Sequence, residues 1–298
     1  MKYPKGVMPA IITPLNEKGK LLEDSLRKLI DYTINGGVHG LFVLGTTGEF
    51  YGIEFEEKRK IFEVALDQAN GRVPVYVGAS EITTKDCITN VQLAESCGVD
   101  GVSVLTPYFI TPNQQELKEH FEKIANSTKL PMMLYNNVGR TNVDISPEIV
   151  EELAKIDNIV GIKDSSGDMT KMAEYIRRTE DKDFNVFCGR DTMIYGCLCY
   201  GGAGSVAATA NIIPHIVSGI YNAFQEGDLK KSRELQFKLA PLRLAFKLSS
   251  FPGVMKEALR LVGIDPGVSL SPIGGITEPN KEKMIQILKD LEVYQIAK

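Results

Sequence analysis

The sequence predicts an α/β fold, a (β/α)8 TIM barrel with a C-terminal helical appendage. Eight short apolar runs alternate with eight amphipathic stretches over most of the 298 residues. This alternation is typical of a parallel sheet whose strands are joined by helices, and eight strands are the number that closes into a barrel. No Gly-x-Gly-x-x-Gly motif follows the first run, so a doubly wound open sheet is the less favoured arrangement.

The predicted strands are short apolar runs bounded by residues that favour turns. They cover residues 7–13, 40–45, 73–80, 101–107, 131–136, 159–166, 185–189 and 204–209. The stretches between them have apolar residues at helical spacing. They predict helices at 23–35, 55–69, 84–96, 114–127, 147–156, 170–178, 191–200 and 211–225. Ser146 and Pro147 supply an N-cap and a proline at the first helical position, and Asp168 or Thr170 can cap the next helix.

Three glycine-bounded segments lie where a predicted helix ends and the next strand begins, at residues 37–40, 98–101 and 201–204. Glycine ends a helix in the left-handed conformation at little cost, and the chain can then turn directly into a strand. The recurrence of this feature supports a series of similar helix–strand units.

After residue 225 the pattern changes to helices without intervening strands, at 229–246, 252–262 and 279–297. We therefore divide the chain into a barrel domain that carries catalysis, residues 1–225, and a C-terminal helical region, residues 226–298. Such a region can cover hydrophobic surface, build an oligomer interface, or do both.

Composition and charge exclude several classes of function. The net charge of -4 and the pI near 5.6 leave no basic surface of the kind that binds nucleic acid or anionic membranes. No apolar run reaches the roughly 20 residues that span a bilayer. No long apolar segment follows Met1, so no signal peptide is predicted. We expect a cytoplasmic protein that binds neither nucleic acid nor membrane.

Disulfide and metal chemistry is not expected either. The five cysteines are odd in number, include no Cys-x-x-Cys pair and lie within predicted elements. This pattern is typical of small buried side chains in a reducing compartment, so disulfides are not expected. His39, His120 and His215 are widely spaced and form no paired motif. No metal site is therefore predicted.

One predicted strand ends in a lysine, and this residue is the main candidate for catalysis. The apolar run 159–162 leads into Lys163, and strand alternation would direct its side chain into the core that the strand lines. An amine held in a low-dielectric site loses part of its preference for the charged form and can then form a Schiff base with a carbonyl substrate. The alternative is a lysine that ends its strand and extends to water.

In an α/β barrel the active site lies at the carboxyl ends of the strands. That rule brings Thr46, Thr47, Tyr135 and Lys163 to one mouth, with Arg140 in a loop beyond. Glycines beside the two threonines let amides and hydroxyls hold a small carboxylate. A phenol beside an amine and a hydroxyl can relay protons, and an arginine can bind a substrate carboxylate through two hydrogen bonds.

Glu49 is the acidic residue of the same turn. Its place ahead of a predicted helix is typical of a helix N-terminal charge rather than of a catalytic acid.

The combination of these motifs resembles a known family. They are, in order, Gly45-Thr46-Thr47-Gly48-Glu49, Tyr135-Asn136, Gly161-Ile162-Lys163-Asp164 and Gly201-Gly202-Ala203-Gly204. Together they resemble the dihydrodipicolinate synthase/N-acetylneuraminate lyase family of pyruvate-dependent class I lyases. The resemblance covers essentially the whole chain, including the C-terminal helices.

The resemblance implies the chemistry and the roles of individual residues. Lys163 would form an imine with pyruvate, Tyr135 would shuttle protons, and Thr46 would position the tyrosine. The remaining substrate-binding residues would be Thr47, Gly48, Tyr108, Arg140 and Val206. An enamine formed on the lysine would add to an aldehyde, or the reverse reaction would cleave a 2-keto acid, with no cofactor. The resemblance also implies a homotetramer, a dimer of dimers.

Two departures leave the aldehyde open. The synthases of this family have a second tyrosine after the one matching Tyr108, which reaches into the neighbouring subunit; here that residue is Phe109, which has no hydroxyl. Arg140 matches the arginine that holds the carboxylate of aspartate semialdehyde in those synthases. The segment 164–168 is more similar to sugar-acid aldolases of the family. Dihydrodipicolinate synthase-like, 2-keto-3-deoxy sugar acid aldolase and N-acetylneuraminate lyase-like activities are therefore the competing possibilities.

Two further hypotheses do not use a covalent lysine. One is a phosphate-sugar barrel enzyme in which residues 201–204 form a phosphate loop near the last two strands. The other is a catalytically silent barrel that acts as a sensor or assembly module. The first predicts binding of phosphorylated ligands and indifference to borohydride, and the second predicts ligand binding without turnover.

Overall fold

A computed structural model describes residues 4–295, in which eight parallel strands form one sheet. The order of hydrogen-bonded neighbours follows the chain from the second strand to the eighth, and the first strand pairs with the eighth. The first and second strands meet through a parallel bridge between Ala10 and Phe42, where the amide of Ile11 donates to the Phe42 carbonyl at 2.8 Å. The sheet therefore closes into the predicted barrel.

All eight predicted strands are present, and most end earlier than predicted. They are β1 (Gly6–Pro9), β2 (Leu41–Val43), β3 (Val75–Gly78), β4 (Gly101–Leu105), β5 (Met132–Asn136), β6 (Ile159–Asp164), β7 (Asn185–Cys188) and β8 (Gly204–Ala207). The last residues of the apolar runs leave the hydrogen-bonded ladder and form the loops at the carboxyl ends. Hydrophobic patterning detects burial and does not detect where a ladder ends.

Twelve helices accompany the strands within residues 4–295. They are α1 (Glu23–Asn35), α2 (Phe55–Ala69), α3 (Thr84–Cys97), α4 (Gln114–Ala125), α5 (Val138–Thr141), α6 (Pro147–Leu153), α7 (Met169–Arg178), α8 (Ile194–Cys199), α9 (Pro214–Gln225), α10 (Leu229–Leu244), α11 (Gly253–Leu261) and α12 (Glu278–Asp290).

All eleven predicted helices are present, most with somewhat different ends, and one further helix was not predicted. The short α5 was not predicted, and the helix predicted at 191–200 begins as a 3₁₀ turn, Asp191–Met193, before α8. The last predicted helix, 279–297, ends at Asp290, and its residues 296 and 297 lie outside the described part of the chain.

The predicted helix starts are confirmed by their hydrogen bonds. The side chain of Ser146 accepts a hydrogen bond from the amide of Ile149, and Pro147 takes the first position of α6. Asp168 caps α7 by accepting from the amides of Thr170 and Lys171, so the cap is the aspartate.

The glycine-bounded segments also adopt the predicted conformation. Gly37, Gly98 and Gly201 have φ values of 83°, 80° and 94°. Gly204, at the start of β8, has φ of 145°, and a Cβ there would lie 1.9 Å from the carbonyl oxygen of Gly6. Only glycine fits where the first and last strands close the barrel.

The core has two layers. The barrel interior is filled by Met8, Ala10, Phe42, Tyr76, Met133, Phe187 and Val206. A larger hydrophobic cluster lies between the strands and the surrounding helices, and it continues into the C-terminal helices through Leu239, Val254 and Met284. The barrel and the C-terminal helical region therefore share one core. Such a shared core holds the appendage firmly against the barrel.

The cysteines only partly match the expectation of burial. Cys87, Cys188 and Cys197 are buried free thiols, whereas Cys97 is half-buried and Cys199, at the end of α8, is exposed. Between residues 4 and 295, the chain contains no helix that is both long and apolar enough to cross a bilayer.

Candidate active site

Lys163 lies at the carboxyl end of β6 with its side chain inside the barrel. In the sheet it is in register with Tyr135 of β5 and Phe187 of β7. The residue is 4% exposed, and its Nζ atom lies 4.1 Å from the centroid of the Tyr135 ring and 4.9 Å from that of Phe42. The lysine does not extend to bulk water, so the alternative role as a strand-ending surface charge is wrong.

Tyr135 is the immediate polar neighbour of this lysine. Its hydroxyl lies 3.3 Å from the Oγ1 atom of Thr46 and accepts a hydrogen bond from the Asn137 side-chain amide at 2.9 Å. Burial alone would raise the pKa of the Tyr135 phenol, but the charge of Lys163 and hydrogen bonds with Thr46, Asn137 and Ser165 lower that pKa below its usual value. The phenol is therefore tuned to release and recover a proton beside the amine.

The turn that carries the two threonines is held by the chain that follows β1. Residues Thr46–Gly48 form a 3₁₀ turn after β2, and the hydroxyl of Thr13 donates to the Gly48 carbonyl at 2.8 Å. A Cβ on Gly48 would lie 3.1 Å from the carbonyl oxygen of Ile11, so the turn packs closely on the end of β1. These contacts fix the backbone of the turn from which the side chains of Thr46 and Thr47 extend.

Glu49 follows this turn, and the sequence-based interpretation of it as a helix N-terminal charge is wrong. It is fully buried, in the left-handed conformation at φ 58°, and its Oε1 atom pairs with Nζ of Lys256 in α11 at 2.6 Å. Its Oε2 atom accepts from the amide of Leu270 at 2.8 Å. Burial lowers the pKa of Lys256, and the adjacent carboxylate opposes that effect. The pair connects the threonine turn to the C-terminal helical region.

A second buried network fixes the end of β6. The carboxylate of Asp164, which follows Lys163, accepts hydrogen bonds from the side chains of Asn136 at 2.8 Å and Ser166 at 2.7 Å. Burial raises the pKa of Asp164, and these hydrogen bonds act in the opposite direction. The strand that presents the lysine is thus held on its outer side by polar contacts.

A cavity of about 310 Å³ opens at the carboxyl ends of the strands. Six predicted site residues line it: Thr46, Thr47, Tyr135, Arg140, Lys163 and Val206. Eleven further lining residues were not predicted as site residues, and they include Asn137, Ser165, Arg190, Arg243, Phe246 and Phe251. The first three of these follow strands β5, β6 and β7, so the strand-end rule could have found them. The other three come from α10 and the chain after it, where no such rule applies.

Two predicted binding residues do not line this cavity. The Gly48 carbonyl accepts the hydrogen bond from the Thr13 hydroxyl described above. The ring of Tyr108 packs edge-to-face against Phe50, with centroids 6.3 Å apart. Its neighbour Phe109 has φ of 75° and is 89% exposed. Any contact of Gly48 or Tyr108 with a substrate stays a prediction.

The predicted phosphate loop is on the wrong side of the barrel. Residues 201–204 precede β8 and therefore lie at the amino ends of the strands, whereas the cavity and the phosphate sites of such barrels lie at the carboxyl ends. This arrangement removes the structural basis for the phosphate-sugar hypothesis.

Comparison with known proteins agrees over the whole length of the chain. The sequence matches the model of the Dihydrodipicolinate synthetase family over residues 3–291. The 4-hydroxy-tetrahydrodipicolinate synthase of Methanococcoides burtonii is 38% identical over 291 residues, which cover 98% of this chain and 99% of that protein.

Solved structures give the same result. Dihydrodipicolinate synthase from Thermotoga maritima has a TM-score of 0.95 at 33% identity, covering 98% of this chain and 100% of that one. A prophage protein of the dihydrodipicolinic acid synthase family from E. coli K12, solved in complex with pyruvate, has a TM-score of 0.93 at 32% identity. It covers 97% of this chain and 99% of its own.

Proposed function

The chain belongs to the dihydrodipicolinate synthetase family, and from that premise we propose that Lys163 forms an imine with pyruvate and that the derived enamine adds to an aldehyde. The protein is an enzyme, a Schiff-base-forming lyase or synthase of the class I type. Because its relatives are 4-hydroxy-tetrahydrodipicolinate synthases, aspartate semialdehyde is the favoured acceptor.

In the first step, the neutral amine of Lys163 attacks the keto carbon of pyruvate, and loss of water gives the imine. The Tyr135 hydroxyl donates a proton to the departing oxygen and recovers one from the nitrogen. Thr46 keeps that hydroxyl in place, and the hydroxyls of Thr46 and Thr47 hold the carboxylate of pyruvate. The close approach of Lys163 to the tyrosine ring supports this assignment.

In the second step, the pyruvyl methyl group loses a proton and an enamine forms. Its carbon attacks the aldehyde carbon, a carbon–carbon bond forms, and the aldehyde oxygen takes up a proton to become a hydroxyl. Water then hydrolyses the imine and releases the amine of Lys163. The imine is the electron sink, so the reaction requires no metal or organic cofactor. Arg140, at the mouth of the cavity, would bind an acidic group of the acceptor.

We also propose a cytoplasmic homotetramer, a dimer of dimers. Phe109 and Ile110 are 89% and 67% exposed at the end of the β4 loop, and adjacent exposed apolar side chains suit a subunit contact. A stable monomer in light scattering would contradict this part of the proposal.

The observation that carries the proposed reaction is the burial of Lys163 in the barrel interior beside Tyr135. The test is incubation with pyruvate and sodium borohydride, followed by peptide mass spectrometry. We expect a reduced pyruvyl adduct on the peptide that contains Lys163. Lys155→Ala, which changes an exposed lysine, should leave the adduct in place. Absence of an adduct from the wild-type protein would overturn the mechanism.

A second candidate is cleavage or formation of a 2-keto-3-deoxy sugar acid. Phe109 favours it, because the exposed ring at this position has no hydroxyl with which to complete a proton relay in a neighbouring subunit. Comparing aspartate semialdehyde with glyceraldehyde as acceptors separates the two candidates.

A further inference from the structure

Two neighbouring asparagines at the end of β5 have their side chains on opposite faces of the strand. Asn136, the last residue of β5, is fully buried and donates to the carboxylates of Asp144 and Asp164 at 2.9 and 2.8 Å on the outer side of the barrel. Asn137 has an extended φ of -143°, so the alternation continues for one more residue and its side chain lies on the inner face, as that of Tyr135 does. There Asn137 lines the cavity.

The side chain of Asn137 contacts the hydroxyl of Tyr135. Its Nδ2 atom donates to the phenol oxygen at 2.9 Å, whereas the Oγ1 atom of Thr46 lies 3.3 Å from that oxygen. A hydroxyl can donate or accept a hydrogen bond, but an amide nitrogen can only donate. The contact with Asn137 therefore occupies a lone pair of the phenol oxygen and leaves the phenol proton free to point towards Thr46 or a substrate.

The support that Asn137 gives to α5 comes from its backbone instead. Its carbonyl accepts hydrogen bonds from the amides of Arg140 at 2.8 Å and Thr141 at 3.1 Å, and its side chain makes no capping hydrogen bond to that helix. Among the residues that the structure describes, Tyr135 is the one hydrogen-bond partner of the Asn137 side chain. A substitution of this side chain can therefore remove the contact with Tyr135 and leave α5 in place.

The charges around the phenol make this contact important. Burial opposes ionisation, yet the charge of Lys163 and several hydrogen bonds, that of Asn137 among them, hold the pKa of Tyr135 below its usual value. The other charged side chains of the cavity wall are Arg140 on α5, Arg190 and Asp191 after β7, and Arg243 on α10. A change of Asn137 leaves all these charges in place. A donor on the phenol oxygen is strengthened when that oxygen becomes negative, because hydrogen bonds to charged groups are the stronger ones.

We propose that Asn137 is a positioning residue of the proton relay. Its amide directs the Tyr135 proton towards the place of imine formation and stabilises the phenolate that remains when this proton leaves. The inference rests on the proposed function, because it gives Asn137 a part in the relay through Tyr135. Asn137 acts through the tyrosine and forms no bond with the substrate.

The amide acts while the adduct between Lys163 and pyruvate loses water. The O–H bond of Tyr135 breaks, its proton goes to the departing oxygen, and the carbon–oxygen bond breaks to release water. This leaves a phenolate beside an iminium ion. The phenolate then takes the proton from the nitrogen, which restores the phenol and gives the neutral imine. The N–H bonds of Asn137 stay intact throughout and stabilise the negative oxygen while it exists.

The first test measures the rate of imine formation, which requires no aldehyde. The enzyme is mixed with pyruvate and quenched with sodium borohydride after increasing times, and mass spectrometry gives the fraction of protein that carries the reduced adduct. Asn137→Ala should lower the maximal rate near neutral pH by about tenfold, the loss of one hydrogen bond to a charged group. The pyruvate concentration that gives half of the maximal rate should stay the same.

The pH profile separates this role from a purely structural one. Without the amide the phenolate is less stable, so the pKa of Tyr135 should rise by about one pH unit, and the fall in rate at high pH should move upwards with it. Asn137→Asp should move both further, because a carboxylate accepts from the phenol and repels the phenolate. A variant that merely disturbs the loop would lower the rate at every pH and would not move this fall.

NMR of protein labelled in its tyrosine rings measures the pKa directly, and the Tyr135 signal is the one missing from Tyr135→Phe. Asn142→Gly is the matched control, because Asn142 is an exposed asparagine of the same loop with φ of 57°, which glycine adopts readily. It should change neither the rate nor the pKa. If Tyr135 in Asn137→Ala titrates at the wild-type pH or below it, the proposal is wrong. A raised pKa with an unchanged rate of imine formation would also overturn it.

Failure of this inference and failure of the proposed function give different results. If pyruvate is trapped on Lys163 and Asn137→Ala forms the imine as fast as the wild type, the function stands and the role of Asn137 is wrong. If no adduct forms on the wild type, the function is wrong and the relay role is lost with it. The titration of Tyr135 in the two proteins then still decides whether the amide stabilises the phenolate.

Discussion

The strand ends and the C-terminal helices line the same cavity with different kinds of residues. The strand ends contribute Lys163 and Tyr135, each 4% exposed and fixed by the register of neighbouring strands. The C-terminal region contributes Arg243 and two phenylalanines, which are not part of the sheet. The candidate residues for bond making therefore lie on the barrel, and the appendage supplies part of the cavity wall beside Arg140 and Arg190 of the barrel. One can change in evolution while the other is kept.

The largest effect is expected from a substitution of the candidate catalytic lysine of the barrel. Lys163→Ala deletes the covalent catalyst, and turnover with pyruvate and any aldehyde should fall by at least about a thousandfold. Initial rates and circular dichroism would show whether chemistry is lost from a folded protein. Lys155→Ala controls for loss of an exposed lysine charge. Retained turnover in Lys163→Ala would place the chemistry elsewhere.

A smaller loss is expected for Tyr135→Phe, which removes only a hydroxyl. Loss of one positioned proton donor should lower kcat by about 10²- to 10⁴-fold. The pH profile provides a second readout. The pKa of Tyr135 is lowered, so in the wild type its protonated form, the donor, is lost as pH rises through a value below 10. The rate should fall there, and this limb should be absent from Tyr135→Phe. If the fall in rate at high pH persists in Tyr135→Phe, the titrating group is not Tyr135.

The third test breaks the connection between the two regions. Glu49→Gln or Lys256→Met leaves one buried charge without its partner, and each should lower the free energy of unfolding by about 3–5 kcal/mol. The double variant should lose less than the sum of the two, because neither charge is then left alone. Urea denaturation measures the free energy of unfolding of the two single variants and of the double variant.

The control for this test is Lys20→Met, which removes a partner of the exposed Glu54 and should leave the free energy of unfolding nearly unchanged. The pair also holds the threonine turn, so the single variants should raise the KM for pyruvate. Normal stability together with a normal KM would show that the two regions are independent.

Sequence patterns predicted the barrel and grouped its candidate catalytic residues for one physical reason. Strands and helices have different hydrophobic periods, and parallel strands bring their carboxyl ends together. Lys163, Tyr135 and Thr46 could therefore be grouped before any coordinates were known. The turn glycines and the caps at Ser146 and Asp168 were predictable because their signals are local.

The contribution of the C-terminal helices was not predictable in this way. Arg243 lies on a helix whose pattern gives no indication of which face meets a cavity, and nothing local links Glu49 with Lys256. The helix α5, which carries Arg140, has 4 residues, too few to show a period. Long-range pairings of single side chains depend on the packed tertiary structure.

The Glu49–Lys256 pair also has a consequence for biosynthesis. The ribosome makes the threonine turn early and its counter-charge only after all eight strands, so the emerging barrel has a carboxylate to bury and no cation to neutralise it. We expect the nascent barrel to leave this turn open until α11 has been translated. A chain interrupted before Lys256 would retain Lys163, Tyr135 and both threonines and yet lack the cation that pairs with the carboxylate beside the threonine turn.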